Sequence, residues 1–382
     1  MKTVSADKLF APIQVGPMEL KHRVVMAPLT RSRSVQPGSI PGDLMLEYYS
    51  QRASDGGLIV SEGTSISIAG GGWFGAPGMY SDEQVGGWKR ITNAVHAKRG
   101  YMFSQLWHTG RASHVDSTNG TTPVSSSVNP EYWQDPTIKE STPHGWQQPS
   151  PHRALDIREI PSIVEDYRKA AERAKAAGFD GVELHAGNGY LPDQFLQDGI
   201  NKRTDMYGGS IENRSRFLLQ VVEALVSVWG GNRVAVRIAP SGTWNGVSDS
   251  NPIALFDYVA KQVNRFGLAY LPIIEPRIKG NVLSAKGQGH IATTRLRKVF
   301  TGTIIAAGGF EPDTAEAAVR EGDADLVAFG RHFVANPDLP KRIQLGLPLN
   351  AYDRDTFYTF DARGYTDYSF YEQRSESLAS TL

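Results

Sequence analysis

The chain contains no cysteine. That single absence removes disulfides, thiolate nucleophiles and Cys-held iron–sulfur or zinc sites. It carries no net charge either, because 40 Lys and Arg balance 40 Asp and Glu. Nothing in that balance draws it to nucleic acid or to an anionic membrane surface. No apolar run approaches the ~20 residues of a membrane-spanning helix. The first residues, MKTVSADKLFAPIQVG, lack the apolar core of a secretory signal. The histidines show no His-Glu-x-x-His spacing, so no metal site is expected. No nucleophile–base pair stands in a context that suggests hydrolysis. The expectation is a soluble cytoplasmic protein, monomer or homodimer, with small molecules rather than nucleic acid or membrane as partners.

Glycine (39) and proline (22) are plentiful but scattered, which reads as many turns rather than low complexity. Residues 8–21 alternate and turn at Gly16-Pro17, as a β-hairpin does. Eight short apolar runs follow, at 23–28, 58–64, 101–107, 181–186, 234–239, 269–275, 303–309 and 326–331. Each is too short for a helix and rich in β-branched or aromatic residues, so each reads as a buried parallel strand. Amphipathic helical stretches separate most of them, notably 83–100, 158–180, 211–231 and 251–267. Asn251 as N-cap and Pro252 at the first helical position mark the start of the last of these. This alternation predicts an α/β fold, a single (β/α)8 TIM barrel with an N-terminal β-hairpin and long capping loops. A doubly wound sheet is the rival, but no Gly-x-Gly-x-x-Gly follows the first strand. The barrel is expected over 1–370, with a flexible tail at 371–382. The polar stretch 109–157 is expected to cap the site.

In such a barrel the site lies at the C-terminal ends of the strands. Strands seven and eight end in Gly308-Gly309 and Gly330-Arg331. Backbone N–H groups there can approach an anion, and Arg331 can grip phosphate oxygens in two-pronged fashion. The bland alternative is turn glycines beside a surface charge. Arg237 sits inside the buried run VAVRIA. It faces either an anionic ligand or a carboxylate such as Glu62 or Glu183. His185, Asn188 and Tyr190 cluster after strand four. The first two can donate to one substrate oxygen, and the phenol can give up a proton.

The chain resembles the Old Yellow Enzyme family from about Lys8 to Tyr368. The most specific stretches are KHRVVMAPLTRSRS (21–34), SQLWHTGR (104–111), GFDGVELHAGNGYLPDQFLQDGINKRTDMYGGSIENRSRF (178–217), VAFGRHFVANPDL (327–339) and GYTDY (364–368). The chain looks similar to the branch that includes plant oxophytodienoate reductases and bacterial N-ethylmaleimide reductase-like members. The resemblance implies tightly bound, non-covalent FMN at the barrel mouth and NADPH or NADH as reductant. The substrates implied are α,β-unsaturated carbonyl or nitro compounds. It implies that Pro28, Leu29 and Thr30 lie along the flavin ring, with Gly63 leaving room for it. Gln105 and Arg237 bind the pyrimidine edge, and Gly308, Gly309, Gly330 and Arg331 hold the phosphate. Phe357 and Tyr358 flank the ring. Thr30, Trp73, Trp107, His185, Asn188, Tyr190 and Tyr358 contact substrate, with Tyr190 as proton donor. Asn188 stands where many members have a second His, and Trp73-Phe74 replaces a tyrosine-containing pair. Thr30 in place of Cys sets the chain apart from the thermophilic-type branch. A flavin-free barrel lyase or isomerase acting on a phosphorylated substrate is the alternative.

Overall fold

Eight parallel strands close on themselves in the computed structural model, which describes residues 7–280, 282–283 and 292–371. They are β1 (Val24–Met26), β2 (Leu58–Val60), β3 (Tyr101–Trp107), β4 (Gly181–His185), β5 (Val234–Arg237), β6 (Leu271–Ile274), β7 (Ile304–Ala307) and β8 (Leu326–Phe329). Each pairs with its neighbours in chain order, and β8 returns to β1 through Val327 opposite Val24. Between β5 and β6 the ring closes through bridges of Ala235 with Tyr270 and Ile238 with Ile273. All eight expected runs are therefore strands, and the fold is the (β/α)8 barrel.

The two-residue period of a strand divides its side chains between two cores. Val24, Met26, Ile59, Val182, Leu184, Val236, Ile304 and Val327 face outward against the helices. Val25, Leu58, Val60, Phe103, Ala235, Ile305 and Leu326 fill the interior. Val15, Met18 and Leu20 join this inner cluster from the expected hairpin, Ile13–Val15 with Met18–Leu20, and plug the barrel floor. Gly16 makes the turn at φ +54°, and a Cβ there would stand 2.0 Å from the Asn232 carbonyl oxygen. The same parity, carried two residues up each strand, puts Gln105, Glu183, His185 and Arg237 on the inward face at the upper end.

The outer ring comprises α1 (Asp43–Arg52), α2 (Asp82–Ala97), α3 (Ile160–Ala176), α4 (Ile211–Trp229), α5 (Pro252–Val263), α6 (Thr293–Leu296), α7 (Pro312–Arg320), α8 (Arg331–Ala335) and α9 (Leu339–Gln344). Ser81 and Gln84 form a capping box on α2, and Asn251 accepts from the Ala254 N–H at 3.2 Å to start α5. The excursion 109–157 holds more structure than its composition suggests. It contains a helix, Pro130–Gln134, and a hairpin, Glu140–Thr142 with Gly145–Gln147. These pieces are too short to show a period. Of the expected tail only Tyr371 lies within the described residues. Among the described residues no helix is long and apolar enough to cross a membrane.

Candidate active site

Above the plugged interior, the barrel mouth opens into a cavity lined by residues from the upper ends of the strands and the loops that follow them. Pro28, Leu29 and Thr30 enter it after β1, Gln105 from β3, and Arg237 from β5. His185, Asn188 and Tyr190 enter at and after β4. Gly308, Gly309, Gly330 and Arg331 form one end, while Trp73, Phe357 and Tyr358 close over the top. Gly63 and Trp107 stand behind this lining. A Cβ on Gly63 would meet Trp107 Cε3 at 2.6 Å, so the space left by that glycine holds the indole. Trp107 in turn packs edge-on against Tyr190, ring centroids 5.0 Å apart.

The floor is a buried charge arrangement. Burial pulls the Arg237 guanidinium down from its ordinary pKa, and Glu183 and Tyr270 oppose that shift. Gln105 Nε2 donates to Glu183 Oε1 at 2.7 Å. Of the two carboxylates open as partners of Arg237, Glu183 is therefore the one that acts on it. Glu62 is committed elsewhere. Its Oε2 accepts from the backbone N–H of Arg31 at 3.1 Å and of Ser32 at 3.3 Å, which fixes the turn that presents Thr30. Arg237 thus lines the cavity wall and has Glu183 as an internal electrostatic partner.

The turn after β4 is held by its positive φ angles and by two side chains. Asn188 and Gly189 adopt φ of +56° and +72°. Gly189 N–H donates to Asp193 Oδ2 at 2.8 Å, and Asn245 Nδ2 donates to the Asn188 carbonyl at 3.0 Å. This folds the chain so that His185 and Tyr190 meet edge to face, centroids 4.9 Å apart. Burial, then the nearby Arg237 charge, lowers the His185 pKa to about 3, so its imidazole is neutral at working pH. Its Nδ1 is buried without a hydrogen-bond partner in the protein. Burial, followed by Glu140 and Tyr358, pushes the Tyr190 phenol well above its ordinary value, so it keeps its proton.

At the opposite end, Gly308 and Gly309 turn at φ +110° and +68°. Arg331 has a buried Nη1 with no partner in the protein. His332 Nε2 and Glu311 Oε2 lie 3.0 Å apart and tie the starts of α8 and α7 together. An unsatisfied buried guanidinium nitrogen beside open backbone is a poor arrangement unless an anion completes it. The residues present therefore fit the phosphate of FMN. The unpartnered imidazole nitrogen likewise fits a hydrogen-bonding ligand in the cavity.

Several contributors were not legible in the sequence. Arg31 is buried and donates to the carbonyls of Phe357 at 3.1 Å and Gly364 at 2.8 Å. Arg33 adds bonds to Phe357 and Thr356. Together they clamp the C-terminal segment so that Phe357 and Tyr358 reach the cavity. The paired arginines in TRSRS were the available signal. Trp244, Ile278 and Phe310 also line the cavity from loops after β5, β6 and β7. No pattern in one sequence marks such loop positions.

Open glycine backbone beside an unpartnered guanidinium nitrogen at one end, and a buried cation midway, fit a barrel oxidoreductase that uses a flavin mononucleotide. A family model described as NADH:flavin oxidoreductase / NADH oxidase matches residues 8–350. The chain is 47% identical over 379 residues to 12-oxophytodienoate reductase 7 of Oryza sativa subsp. japonica, covering 96% of this chain and 95% of that one. Morphinone reductase in complex with tetrahydroNAD superposes with a TM-score of 0.86 at 46% identity, covering 95% and 97% of the two chains. The old yellow enzyme homologue from Zymomonas mobilis gives 0.89 at 42% identity, covering 94% and 99%. The chain belongs to the NADH:flavin oxidoreductase / NADH oxidase family, the family of Old Yellow Enzyme. Its activity is that of an FMN-dependent ene-reductase.

Proposed function

We propose that this protein reduces α,β-unsaturated carbonyl or nitro compounds with NADPH or NADH, and that His185, Asn188 and Tyr190 carry the chain's part of the chemistry. When bound, non-covalent FMN supplies the hydride chemistry, acceptance from a reduced nicotinamide and delivery to an electron-poor alkene. The protein's own groups do the rest. Gly308, Gly309, Gly330 and Arg331 hold the phosphate. Arg237 and Gln105 face the pyrimidine edge, where the guanidinium stabilises negative charge.

His185 and Asn188 donate hydrogen bonds to the substrate oxygen. Because the imidazole is neutral, both act as fixed dipoles and polarise the double bond without transferring a proton. Tyr190 hands its phenolic proton to the α carbon. Trp73 and Tyr358 shape the wall against which the alkene lies. The single observation that carries this reading is the edge-to-face meeting of His185 and Tyr190 at one face of the cavity, where burial favours the neutral form of each.

The test is to follow the two half-reactions of Tyr190→Phe by stopped flow. Flavin reduction by NADPH is expected to be unchanged. Reoxidation by 2-cyclohexenone is expected to slow by ~10²–10⁴-fold, the usual worth of a positioned acid. Equal slowing of both steps would remove Tyr190 from the role.

A further inference from the structure

Trp73 has a place in the fold that substrate contact alone does not explain. A second cavity lies under the capping excursion, lined by Ile138, Lys139 and Trp146 among others. It shares Trp73, Trp244 and Tyr358 with the reaction cavity, so these rings are the wall between the two spaces. Trp73 meets Tyr358 and Trp146 only edge-on, with centroids 5.1 and 5.4 Å apart. Edge contacts of this kind are worth about 0.5–1.5 kcal/mol each. What gives the indole a direction is its Nε1–H, which donates to Glu140 Oε2 at 3.0 Å.

Glu140 is only 2% exposed, and both its oxygens are engaged. Oε1 meets the hydroxyl of Tyr132 at 3.2 Å. That phenol is itself held, with Asn245 Oδ1 at 3.3 Å and the Arg111 guanidinium 4.2 Å above its ring. Burial raises the Glu140 carboxyl to about 8, so at neutral pH it is a neutral acid. A neutral acid offers one accepting oxygen and one hydroxyl, which matches an indole N–H on one side and a phenol on the other. Its hairpin has a separate anchor, since the Phe74 N–H donates to the Ser141 carbonyl at 3.1 Å. The hairpin therefore has an anchor that does not pass through the Glu140 side chain.

We propose that Glu140 is a positioning residue that fixes Trp73 as the partition between the reaction cavity and the outer chamber, and so sets how long an enone the site accepts. The inference rests on the ene-reductase reading. Without the tether the indole turns aside, the two spaces join, and an apolar chain on the substrate passes into the outer chamber.

The experiment compares kcat/KM for 2-cyclohexenone and 2-hexyl-2-cyclohexenone in the flavin-loaded enzyme and in Glu140→Ala, Glu140→Met and Glu140→Gln. The alanine and methionine variants are expected to raise the ratio of long to short enone by about tenfold or more, through KM. That is the low end of what a wall excluding a methylene is worth. Glu140→Gln, the neutral isostere, is expected to keep the ratio within about twofold of wild type. An unmoved ratio in both apolar variants overturns the inference. So does a glutamine variant that behaves like alanine. So does loss of flavin or of folding in both apolar variants, since Glu140 would then hold the whole cap rather than one indole. Wild-type enzyme inert toward both enones would instead defeat the ene-reductase reading itself.

Discussion

His185 shows how position decides the chemistry of a residue. An exposed histidine titrates near neutrality, but burial holds this one at about 3. Its partner in hydrogen-bond donation, Asn188, does not titrate at all. Ligand binding through this pair is therefore expected to be flat from about pH 5 to about pH 7, a window that an ordinary histidine would cross. Affinity for a phenol, read from its charge-transfer band with the flavin, checks this. A steep dependence in that window would mean that His185 takes up a proton. The combined change His185→Ala and Asn188→Ala is expected to weaken phenol binding by about 1–3 kcal/mol, two hydrogen bonds' worth. Unchanged charge-transfer titrations would contradict the donor roles. The identity of these residues was legible in the sequence, because the motif around 181–190 is long and strand parity is simple. The placement of Trp107 was not, because this last residue of β3 packs its indole behind the lining, in the space that Gly63 leaves.

Elements with a strong period were the legible ones. All eight strand runs read correctly, since burial on both faces makes each a short continuous apolar segment. The long helices read correctly within a few residues, as their caps and stripes predict. The pieces of the excursion 109–157 did not, because a five-residue helix and three-residue strands carry no period. Yet this excursion supplies Glu140, and its charge state gives a stability prediction. The Glu140 carboxyl is raised from 4.5 to about 8, so the folded protein keeps a proton that the unfolded chain gives up. Its contribution is fully present below about pH 4.5 and is lost as pH rises toward about 8. Glu140→Gln cannot ionise, so its melting temperature relative to wild type is expected to climb between those limits. A constant difference would show that Glu140 does not hold its proton. The start of α8 gives another test. Arg331→Ala is expected to weaken FMN binding by about 1.5–3 kcal/mol, the worth of a hydrogen bond to a charged group. Flavin retained after dialysis measures it, and full retention would remove Arg331 from the phosphate site.

For the whole molecule, the barrel acts as a frame whose closed floor and open top leave one place for chemistry. The hairpin seals the lower end with Val15, Met18 and Leu20, and the inner layer of Phe103, Tyr270 and Ile305 fills the middle. Polar groups on the inward parity then have nowhere to be satisfied except at the mouth. That arrangement follows from sequence alone, whereas the clamp made by Arg31 and Arg33 on the C-terminal segment depends on contacts more than 300 residues apart in the chain. The central claim is that this mouth binds one FMN and uses it on electron-poor alkenes. An anaerobic absorbance titration of FMN-replete protein tests it most directly. The account predicts one flavin per chain, bleached by NADPH and recoloured by 2-cyclohexenone. Protein that neither carries nor takes up flavin, or whose reduced flavin is indifferent to enones, would contradict it.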